Sequence, residues 1–175
     1  EEQPEDISLA FPYIHQILDA FRIPVIIIDN YEADDVIGTL AKQARREGYT
    51  VYMVTPDKDY GQLVEDGIYM YKPSRMGNGI DILGVEEIKK KWDIQFPEQL
   101  IDMLGLMGDK VDNIPGIPRV GDKTAVQLIN EFGTVEEIVT RAEEITKKSI
   151  KKSVTEFGEQ GILSKHLATI KIDVP

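Results

Sequence analysis

Acidic side chains at three separate places in the chain have the clearest capacity for chemistry. They form an upstream group, a pair around one lysine and a pair three residues apart: Glu32, Asp34, Asp35, Asp57, Asp59, Asp109 and Asp112. Like charges repel at short range, and a shared cation offsets that repulsion. If folding brings the three groups together, the set is typical of a two-metal site that hydrolyses phosphodiesters.

Each acidic group also has an ordinary structural explanation. Asp34 and Asp35 fall in the first turn of a predicted helix, where they oppose the helix dipole. The triplet at residues 57–59 is typical of a solvated loop, and Asp109 and Asp112 are typical of a capped turn. All three groups follow predicted strands or end predicted helices, where open α/β sheets bind ligands. We therefore predict that they converge on a common site.

The expected cofactor follows from the absence of cysteine in the sequence. Without thiolates, a metal site must use oxygen ligands or the two histidines. His15 falls on the polar side of its predicted helix and His166 in a mixed helical segment, so we interpret both as structural or surface residues. Hard divalent cations prefer carboxylate oxygens. We therefore predict Mg²⁺ or Mn²⁺ at two sites in an intact domain.

The elements that must position these acids begin with a strand, a helix and a second strand. The runs 25–28 and 50–54 are short, apolar and rich in β-branched residues, which is typical of buried parallel strands. Between them, residues 32–47 have an apolar helical face, and Gly48 stands at the expected C-cap. This order predicts an α/β fold. An extended chain after the second strand would place Asp57 and Asp59 on one side.

The remaining pattern changes from mixed to helical. We predict a third strand at residues 67–72 and an irregular stretch at residues 109–118. The predicted helices span residues 11–21, 85–92, 97–107 and 121–132, and one more helix begins with a capping box at Thr134. The predicted fold is a mostly parallel sheet flanked by helices, over residues 1–110. A helical region occupies residues 111–175.

The segment from Asn113 to Gly121 resembles a phosphate-binding turn. Gly116 and Gly121 permit close backbone approach, and the helix that follows offers unpaired N–H groups. Lys123 adds a positive charge and Thr124 adds a hydroxyl. The sequence lacks the full phosphate loop of nucleotide hydrolases. We predict a glycine-hinged helix pair that holds a DNA backbone without reading bases. The alternative is a helix hairpin that only packs against the edge of a domain.

The net charge of −11 is unevenly distributed. Residues 1–112 carry 22 acidic and 11 basic side chains, whereas residues 113–165 carry 8 of each. Two parts with different electrostatics are therefore implied. The acids of the first part either form a solvated surface or converge where cations bind. The chain has neither an apolar run long enough to span a membrane nor a basic leader at its start, so we expect a cytoplasmic protein that does not bind membranes.

Several motifs together resemble the 5′ nuclease domain of bacterial DNA polymerase I, within the flap endonuclease family. They cover nearly the whole chain: Tyr-Glu-Ala-Asp-Asp-Val-Ile-Gly at 31–38, Asp-Lys-Asp at 57–59, Leu-Met-Gly-Asp at 106–109, Asp-Asn-Ile-Pro-Gly at 112–116, Val-Gly-Asp-Lys-Thr-Ala at 120–125 and Ala-Thr-Ile-Lys at 168–171. The resemblance implies a resolvase-like (PIN-like) core in which the seven acids match the ligands of two divalent ions.

The same resemblance implies a helix-three-turn-helix motif that binds duplex DNA and holds K⁺ through backbone carbonyls. It matches Gly116, Val120, Gly121, Lys123 and Thr124. The implied activity is structure-specific removal of 5′ flaps and RNA primers from branched or nicked DNA during replication and repair. A polymerase domain is expected downstream in the parent protein.

Two departures from the family pattern affect these expectations. Pro56 stands where many members have glycine before the Asp-Lys-Asp triplet. The chain also begins inside the family's arch helices, so we expect it to lack two metal ligands, the basic residues of the arch and a central strand. We therefore expect little or no cleavage, and a tendency to dimerise through an exposed sheet edge.

Two further interpretations remain open at this stage. The chain could be a non-catalytic module that binds duplex DNA, with its acids serving as surface charge. It could also be an RNA-cleaving metal nuclease with a related acidic core, which the motif at 116–125 disfavours.

Overall fold

The first of two units, residues 1–33, is built around one helix, α1 (Glu5–Ala20). The computed structural model describes residues 4–74 and 79–175. We predicted that this helix spans residues 11–21. It starts at Glu5, and Pro12 lies inside it. Asp6 lies in the first turn and suits the positive end of the helix dipole, which favours the earlier beginning.

The predicted strand at residues 25–28 does not form. These residues have no regular secondary structure, and Ile26 and Ile27 are 52% and 75% exposed. A strand exists through its hydrogen bonds to a neighbour, and an apolar run alone does not supply that neighbour. The prediction of a strand, helix and strand around residues 25–54 was therefore wrong in its first member.

The second unit, residues 34–175, contains a sheet of three strands in the order β1-β2-β3. Strands β1 (Val51–Val54) and β2 (Ile68–Pro73) are parallel, as predicted, and Val51 pairs with Ile68. Strand β3 (Ile80–Leu83) runs antiparallel to β2 and was not predicted. Its four residues are too few to give a clear alternating pattern.

Seven α-helices occur in the described residues. The predicted helices at 32–47, 85–92, 97–107 and 121–132 are confirmed with shifts of at most two residues at their ends. Thr134 caps the helix that follows, as its side chain accepts a hydrogen bond from the Glu137 N–H at 3.3 Å. After α1, the helices are α2 (Ala33–Arg46), α3 (Val85–Trp92), α4 (Gln99–Met107), α5 (Asp122–Phe132), α6 (Val135–Thr140) and α7 (Lys148–Ala168).

The core of the second unit surrounds α4. Leu100, Met103, Leu104 and Leu106 are fully buried in it, and α4 packs mainly against α7 and α5. Because α4 is apolar on nearly all sides, it must be enclosed by neighbouring elements. Its carboxyl end therefore delivers the segment that begins at Gly108 to a fixed place. None of the described helices is both long and apolar enough to cross a lipid bilayer.

Candidate metal centre and nucleic-acid interface

The Asp-Lys-Asp triplet follows β1 and enters a 3₁₀ helix at Lys58–Leu63. Asp57 caps this helix because its Oδ1 accepts a hydrogen bond from the Asp59 N–H at 3.0 Å. We predicted an extended chain with both aspartates on one side, and this geometry was wrong. The cap bends the backbone, so Asp57 remains exposed at the turn whereas Asp59 is half-buried.

Asp109 and Asp112 lie in the turn that follows α4. Asp109 and Ile114 exchange two backbone hydrogen bonds of 2.9 and 2.7 Å, which close the turn. Asp109 Oδ1 also accepts a hydrogen bond from the Val111 N–H at 2.8 Å. Asp109 is thereby buried and held in place, while Asp112 is exposed at the tip of the turn.

Folding brings Asp59, Asp109 and Asp112 together into what we call the acidic cluster. Each offers a carboxylate oxygen within 4.8 Å of the other two. Among the described residues, Asp59 Oδ1 is buried and accepts no hydrogen bond, although it has an ion-pair contact with Lys58 Nζ at 3.2 Å. Buried carboxylate oxygens need a partner, and a hard divalent cation is the partner that this donor set suits. The residues present therefore fit a divalent metal ion.

Lys58 lies against the acidic cluster. Its Nζ contacts Asp109 Oδ2 and lies 3.2 Å from Asp59 Oδ1. Burial opposes ionisation of Asp109, but Lys58 and the Val111 N–H hold the pKa of Asp109 below its ordinary value. Burial raises the pKa of Asp59, and Lys58 offsets only part of that rise. For Lys58, burial is outweighed by the two carboxylates, which raise the pKa of the ammonium.

The upstream acids are engaged differently. Asp34 Oδ1 accepts a hydrogen bond from the Tyr60 hydroxyl at 2.7 Å, and burial together with this bond raises the Tyr60 pKa. Asp35 Oδ1 accepts a hydrogen bond from the Lys171 N–H at 2.8 Å. Glu32 belongs to the first unit and is exposed. Of the seven predicted acids, three form the cluster within the described residues.

The predicted phosphate-binding turn combines buried and open positions. Gly116 is buried, with φ of +62°, and a Cβ there would stand 2.3 Å from the Gly108 nitrogen. Its N–H donates to Ser164 Oγ at 3.0 Å, and its carbonyl accepts from Gln160 Nε2 at 2.6 Å. The polar backbone groups of Gly116 are thus engaged by α7. The nearby Val120 is also buried.

The start of α5 is the open part of this turn. Gly121 is the N-cap residue, and a Cβ added to it would meet nothing within 4 Å. Lys123 is exposed in the first helical turn, and the Thr124 N–H already donates to the Gly121 carbonyl at 2.9 Å. A phosphate can therefore approach the backbone at Gly121 and the Lys123 ammonium, as expected for a helix N-terminus.

Sequence reasoning missed Lys58 and Tyr60 as partners of the acids. Both directly follow predicted site residues in the chain. Lys58 could have been found as the cation that an isolated carboxylate pair requires, but its direction depends on the 3₁₀ turn. Tyr60 gave no signal, because an aromatic residue after the triplet is equally typical of the core.

Two family models match the chain end to end. One is described as the 5′-3′ exonuclease, N-terminal resolvase-like domain, and matches residues 1–93. The other is described as the 5′-3′ exonuclease, C-terminal SAM fold, and matches residues 95–175. These matches confirm the predicted resolvase-like α/β core followed by a helical region.

Curated relatives give the same result. DNA polymerase I of Bacillus subtilis (strain 168) is 41% identical over 175 residues, which are the whole chain and 20% of that protein. A 5′-3′ exonuclease of Buchnera aphidicola subsp. Baizongia pistaciae is 40% identical over 179 aligned residues, covering 99% of the chain and 58% of that protein. The chain thus spans about a fifth of the length of the DNA polymerase I relatives.

Solved structures share the fold. The T5 D15 protein co-crystallised with metal ions has a TM-score of 0.78 at 21% identity, over 96% of this chain and 62% of its own. The catalytic core of Rad2 in complex with DNA substrate has a TM-score of 0.63 at 18% identity, over 98% of this chain and 59% of its own. From the family models and the curated relatives, the chain belongs to the 5′-3′ exonuclease family.

Proposed function

We propose that the chain is part of a metal-dependent 5′ nuclease that hydrolyses phosphodiesters in branched or nicked DNA with a 5′ flap. The observation that carries this proposal is the acidic cluster. Asp59 and Asp109 are fifty positions apart in the chain, yet they and Asp112 present carboxylate oxygens within 4.8 Å of one another. Family membership and this arrangement point to the same chemistry.

The acidic cluster would hold one Mg²⁺ or Mn²⁺ ion. A bound divalent ion stabilises the negative charge that develops on a reacting phosphate. Asp109 suits this role because it is buried and the backbone hydrogen bonds of its turn hold it in place. Asp34, Asp35 and Asp57 are the acids of the second unit that we propose for a second ion in an intact domain; a ligand role for Glu32 stays a prediction from the family resemblance.

The duplex would be held at the start of α5. Gly121 leaves its backbone open, and Lys123 supplies a positive charge beside it. A similar T5 D15 flap endonuclease is described as a complex with DNA and metal ions. We propose that Gly116, Val120 and Thr124 shape this turn from within, and that K⁺ binds its backbone carbonyl oxygens.

The parent protein is proposed to be a bacterial cytoplasmic DNA polymerase I. Its 5′ nuclease part would remove flaps and primer RNA during replication and repair, with a polymerase domain downstream. The support is the identity of about two fifths to DNA polymerase I over the whole chain. Detection of polymerase motifs in the gene downstream of residue 175 would test it.

A second copy of the chain is a proposed partner. Among the described strands, β1 is bonded on one side only, to β2. Tyr52 and Val54 of β1 are 51% and 75% exposed. An apolar edge strand of this kind favours pairing with another chain. Light scattering at increasing concentration should show a dimer, and a monomer throughout would contradict the proposal.

Calorimetric titration with Mn²⁺ and binding to a labelled 5′-flap duplex test the main proposal. Asp59→Asn and Asp109→Asn should each weaken Mn²⁺ binding by about tenfold or more, because each removes a charged ligand. The matched control is Glu159→Asn, which removes an exposed acid on α7 and should not affect Mn²⁺ binding.

The same variants separate the nuclease from a non-catalytic duplex-binding module. If the acids are only surface charge, their removal relieves repulsion and raises DNA affinity in the presence and absence of Mn²⁺ alike. If they hold an ion, Mn²⁺ should strengthen DNA binding by the unsubstituted chain, here called the parent chain, but should strengthen binding by Asp59→Asn much less. Absence of any Mn²⁺ binding by the parent chain would contradict the proposed function.

A further inference from the structure

Lys58 places its ammonium group among the carboxylates of the acidic cluster. Its Nζ contacts Asp109 Oδ2 and lies 3.2 Å from Asp59 Oδ1. The Asp109 and Asp59 side chains are only 6% and 14% exposed, and among the described residues Lys58 forms an ion pair with both of them. Without a metal ion, Lys58 is therefore the counter-ion that makes the arrangement tolerable.

A divalent ion and this ammonium compete for the same oxygens. A metal bound to the cluster would be held by these carboxylate oxygens and would bring twice the charge of a lysine. Two cations that share Asp109 and Asp59 repel each other strongly, because the site is partly buried and poorly screened. Binding of the metal should therefore displace Lys58 Nζ from the carboxylates.

A cavity beside the acidic cluster offers space for the displaced Lys58 side chain. Lys58 is one third exposed and borders a cavity of about 420 Å³ beside the cluster. The cavity is also lined by Lys72, Lys91 and Trp92, together with Asp57 and Asp112. The four-carbon stem of lysine is flexible. Because Lys58 itself lines the cavity, we expect rotation about its side-chain bonds to carry Nζ from the carboxylates to the cavity.

The charge of this cavity changes when the metal binds. Lys72 on β2 and Lys91 on α3 already line it, and Lys58 would become the third ammonium group there. At the same time, a metal ion would neutralise Asp112, which lines the cavity and belongs to the cluster. The cavity then carries a positive excess next to the metal, which suits a phosphate group.

We propose that Lys58 is a displaceable counter-ion: it holds the metal-free cluster, and the metal transfers it to a phosphate subsite that it forms with Lys72 and Lys91. The ligand of this subsite is a phosphate of the DNA strand next to the reacting one. Metal binding and DNA binding are thereby coupled through one side chain. The inference rests on the proposed function, because it requires both a metal and a phosphodiester substrate.

The first test measures metal affinity without any reaction. In calorimetric titrations with Mn²⁺, Lys58→Met should bind the ion about tenfold more tightly than the parent chain, because no ammonium has to be displaced. Lys58→Arg should remain close to the parent, since it keeps a cation in place. The matched control is Lys110→Met, which removes one exposed charge beside Asp109 in the chain and should change Mn²⁺ affinity by less than about threefold.

Stability without metal gives a second readout. Lys58→Met should unfold at a lower temperature than the parent in EDTA and regain most of the difference in Mn²⁺, because either cation compensates the buried carboxylates. Circular dichroism establishes that each variant is folded before titration. An unchanged or weaker Mn²⁺ affinity in folded Lys58→Met would overturn the proposal.

The phosphate subsite is tested with a labelled 5′-flap duplex. In EDTA, Lys58→Met should bind only slightly more weakly than the parent, because Lys58 is occupied by the carboxylates and its removal leaves one uncompensated negative charge. In Ca²⁺, the parent should bind more tightly, and its dependence on salt should be steeper by about one phosphate contact. Lys72→Met should weaken DNA binding and leave Mn²⁺ affinity unchanged. Equal DNA binding by Lys58→Met and the parent in Ca²⁺ would overturn this half of the proposal.

These measurements separate the inference from the proposed function. If the parent chain binds Mn²⁺ and DNA, and the Lys58 variants behave like the parent, only the role of Lys58 is overturned. If neither the parent nor Lys58→Met binds Mn²⁺, the metal centre itself is overturned, together with the function that depends on it.

Discussion

The Lys171 N–H donates a hydrogen bond to Asp35 Oδ1 at 2.8 Å, so the last segment of the chain is attached to the first turn of α2. A second bond runs from the Val174 N–H to Thr39 Oγ1 at 3.1 Å, one turn further along the same helix. Asp35 therefore has a structural role that is separate from the metal ligation implied by the family resemblance.

Substitutions of Asp35 should distinguish these two roles. Asp35→Asn keeps an oxygen acceptor for Lys171 and should preserve thermal stability, whereas Asp35→Ala should lower the free energy of unfolding by about 1 kcal/mol. Because Asp35 is outside the acidic cluster, Asp35→Asn should weaken Mn²⁺ binding less than Asp59→Asn does. Urea unfolding and calorimetry measure the two effects. Equal losses of Mn²⁺ affinity would place Asp35 on a par with the cluster.

Gln62 attaches the same terminal segment from the protein interior. Its Nε2 donates to the Ala168 carbonyl at 3.0 Å, and its Oε1 accepts from the Ile170 N–H at 2.9 Å. Gln62→Leu leaves both buried backbone groups without a partner, so the free energy of unfolding should fall by about 2 kcal/mol. Gln43→Leu, at an exposed position of α2, is the control. A loss no greater than that of the control would show that water replaces the side chain.

Patterns that depend on one segment alone could be read from the sequence. Helix α3 was predicted at the bounds that the structure gives, because its apolar residues recur every three or four positions and its first turn is acidic. Strand formation at residues 25–28 depends instead on a partner strand, which the local sequence does not encode. Strand β3 is the opposite case, since β2 supplies the ladder for a segment with little intrinsic signal.

The candidate site was predicted by residue type better than by geometry. The acids at 59, 109 and 112 converge as expected, because the ends of β1 and α4 deliver them to one place. What the sequence does not reveal is how each carboxylate is oriented. The Asp57 carboxylate accepts a hydrogen bond from the Asp59 N–H, and the Asp34 carboxylate accepts one from the Tyr60 hydroxyl. Both orientations depend on a 3₁₀ turn that has no clear sequence signature.

Substitution by alanine should destabilise the fold strongly at one glycine of the predicted phosphate-binding turn and hardly at all at another. Gly116→Ala should lower the free energy of unfolding by about 3 kcal/mol, since φ is +62° and the new Cβ would meet the Gly108 backbone. Gly121→Ala should change it by less than about 0.5 kcal/mol, because its Cβ points into open space.

DNA binding gives the complementary readout for this pair. If a phosphate approaches the Gly121 backbone, the added methyl group should weaken binding to a nicked duplex by about tenfold, or about 1.4 kcal/mol. Because the added Cβ meets nothing within 4 Å, Gly121→Ala should remain folded, so a loss of affinity would not be a consequence of unfolding. Unchanged duplex affinity in Gly121→Ala would show that the backbone at this position is not approached closely.

Lys165 joins α7 to α4 and α6 through two carboxylates. Its Nζ lies 2.7 Å from Asp102 Oδ1 and 2.7 Å from Glu136 Oε2. The Asp102 side chain is only 6% exposed, and its Oδ1 also accepts a hydrogen bond from the Val135 N–H at 2.8 Å. Burial raises the pKa of Asp102, and Lys165 and Val135 counteract that rise only in part.

Removal of this lysine should produce a pH-dependent loss of stability. In Lys165→Met, burial acts on Asp102 with less opposition, so its folded-state pKa should rise further above the value of 3.8 expected in the unfolded chain. The folded state then binds the Asp102 proton more tightly than the unfolded state does, and stability falls as pH rises through that pKa. The loss of unfolding free energy should be about 3 kcal/mol at pH 7 and smaller at pH 4, as measured by urea unfolding.

Glu136→Gln, which removes the more exposed partner, should cost less than about 1 kcal/mol at both pH values. An equal loss at pH 4 and pH 7 in Lys165→Met would mean that the lysine stabilises the fold through its apolar stem rather than through its charge.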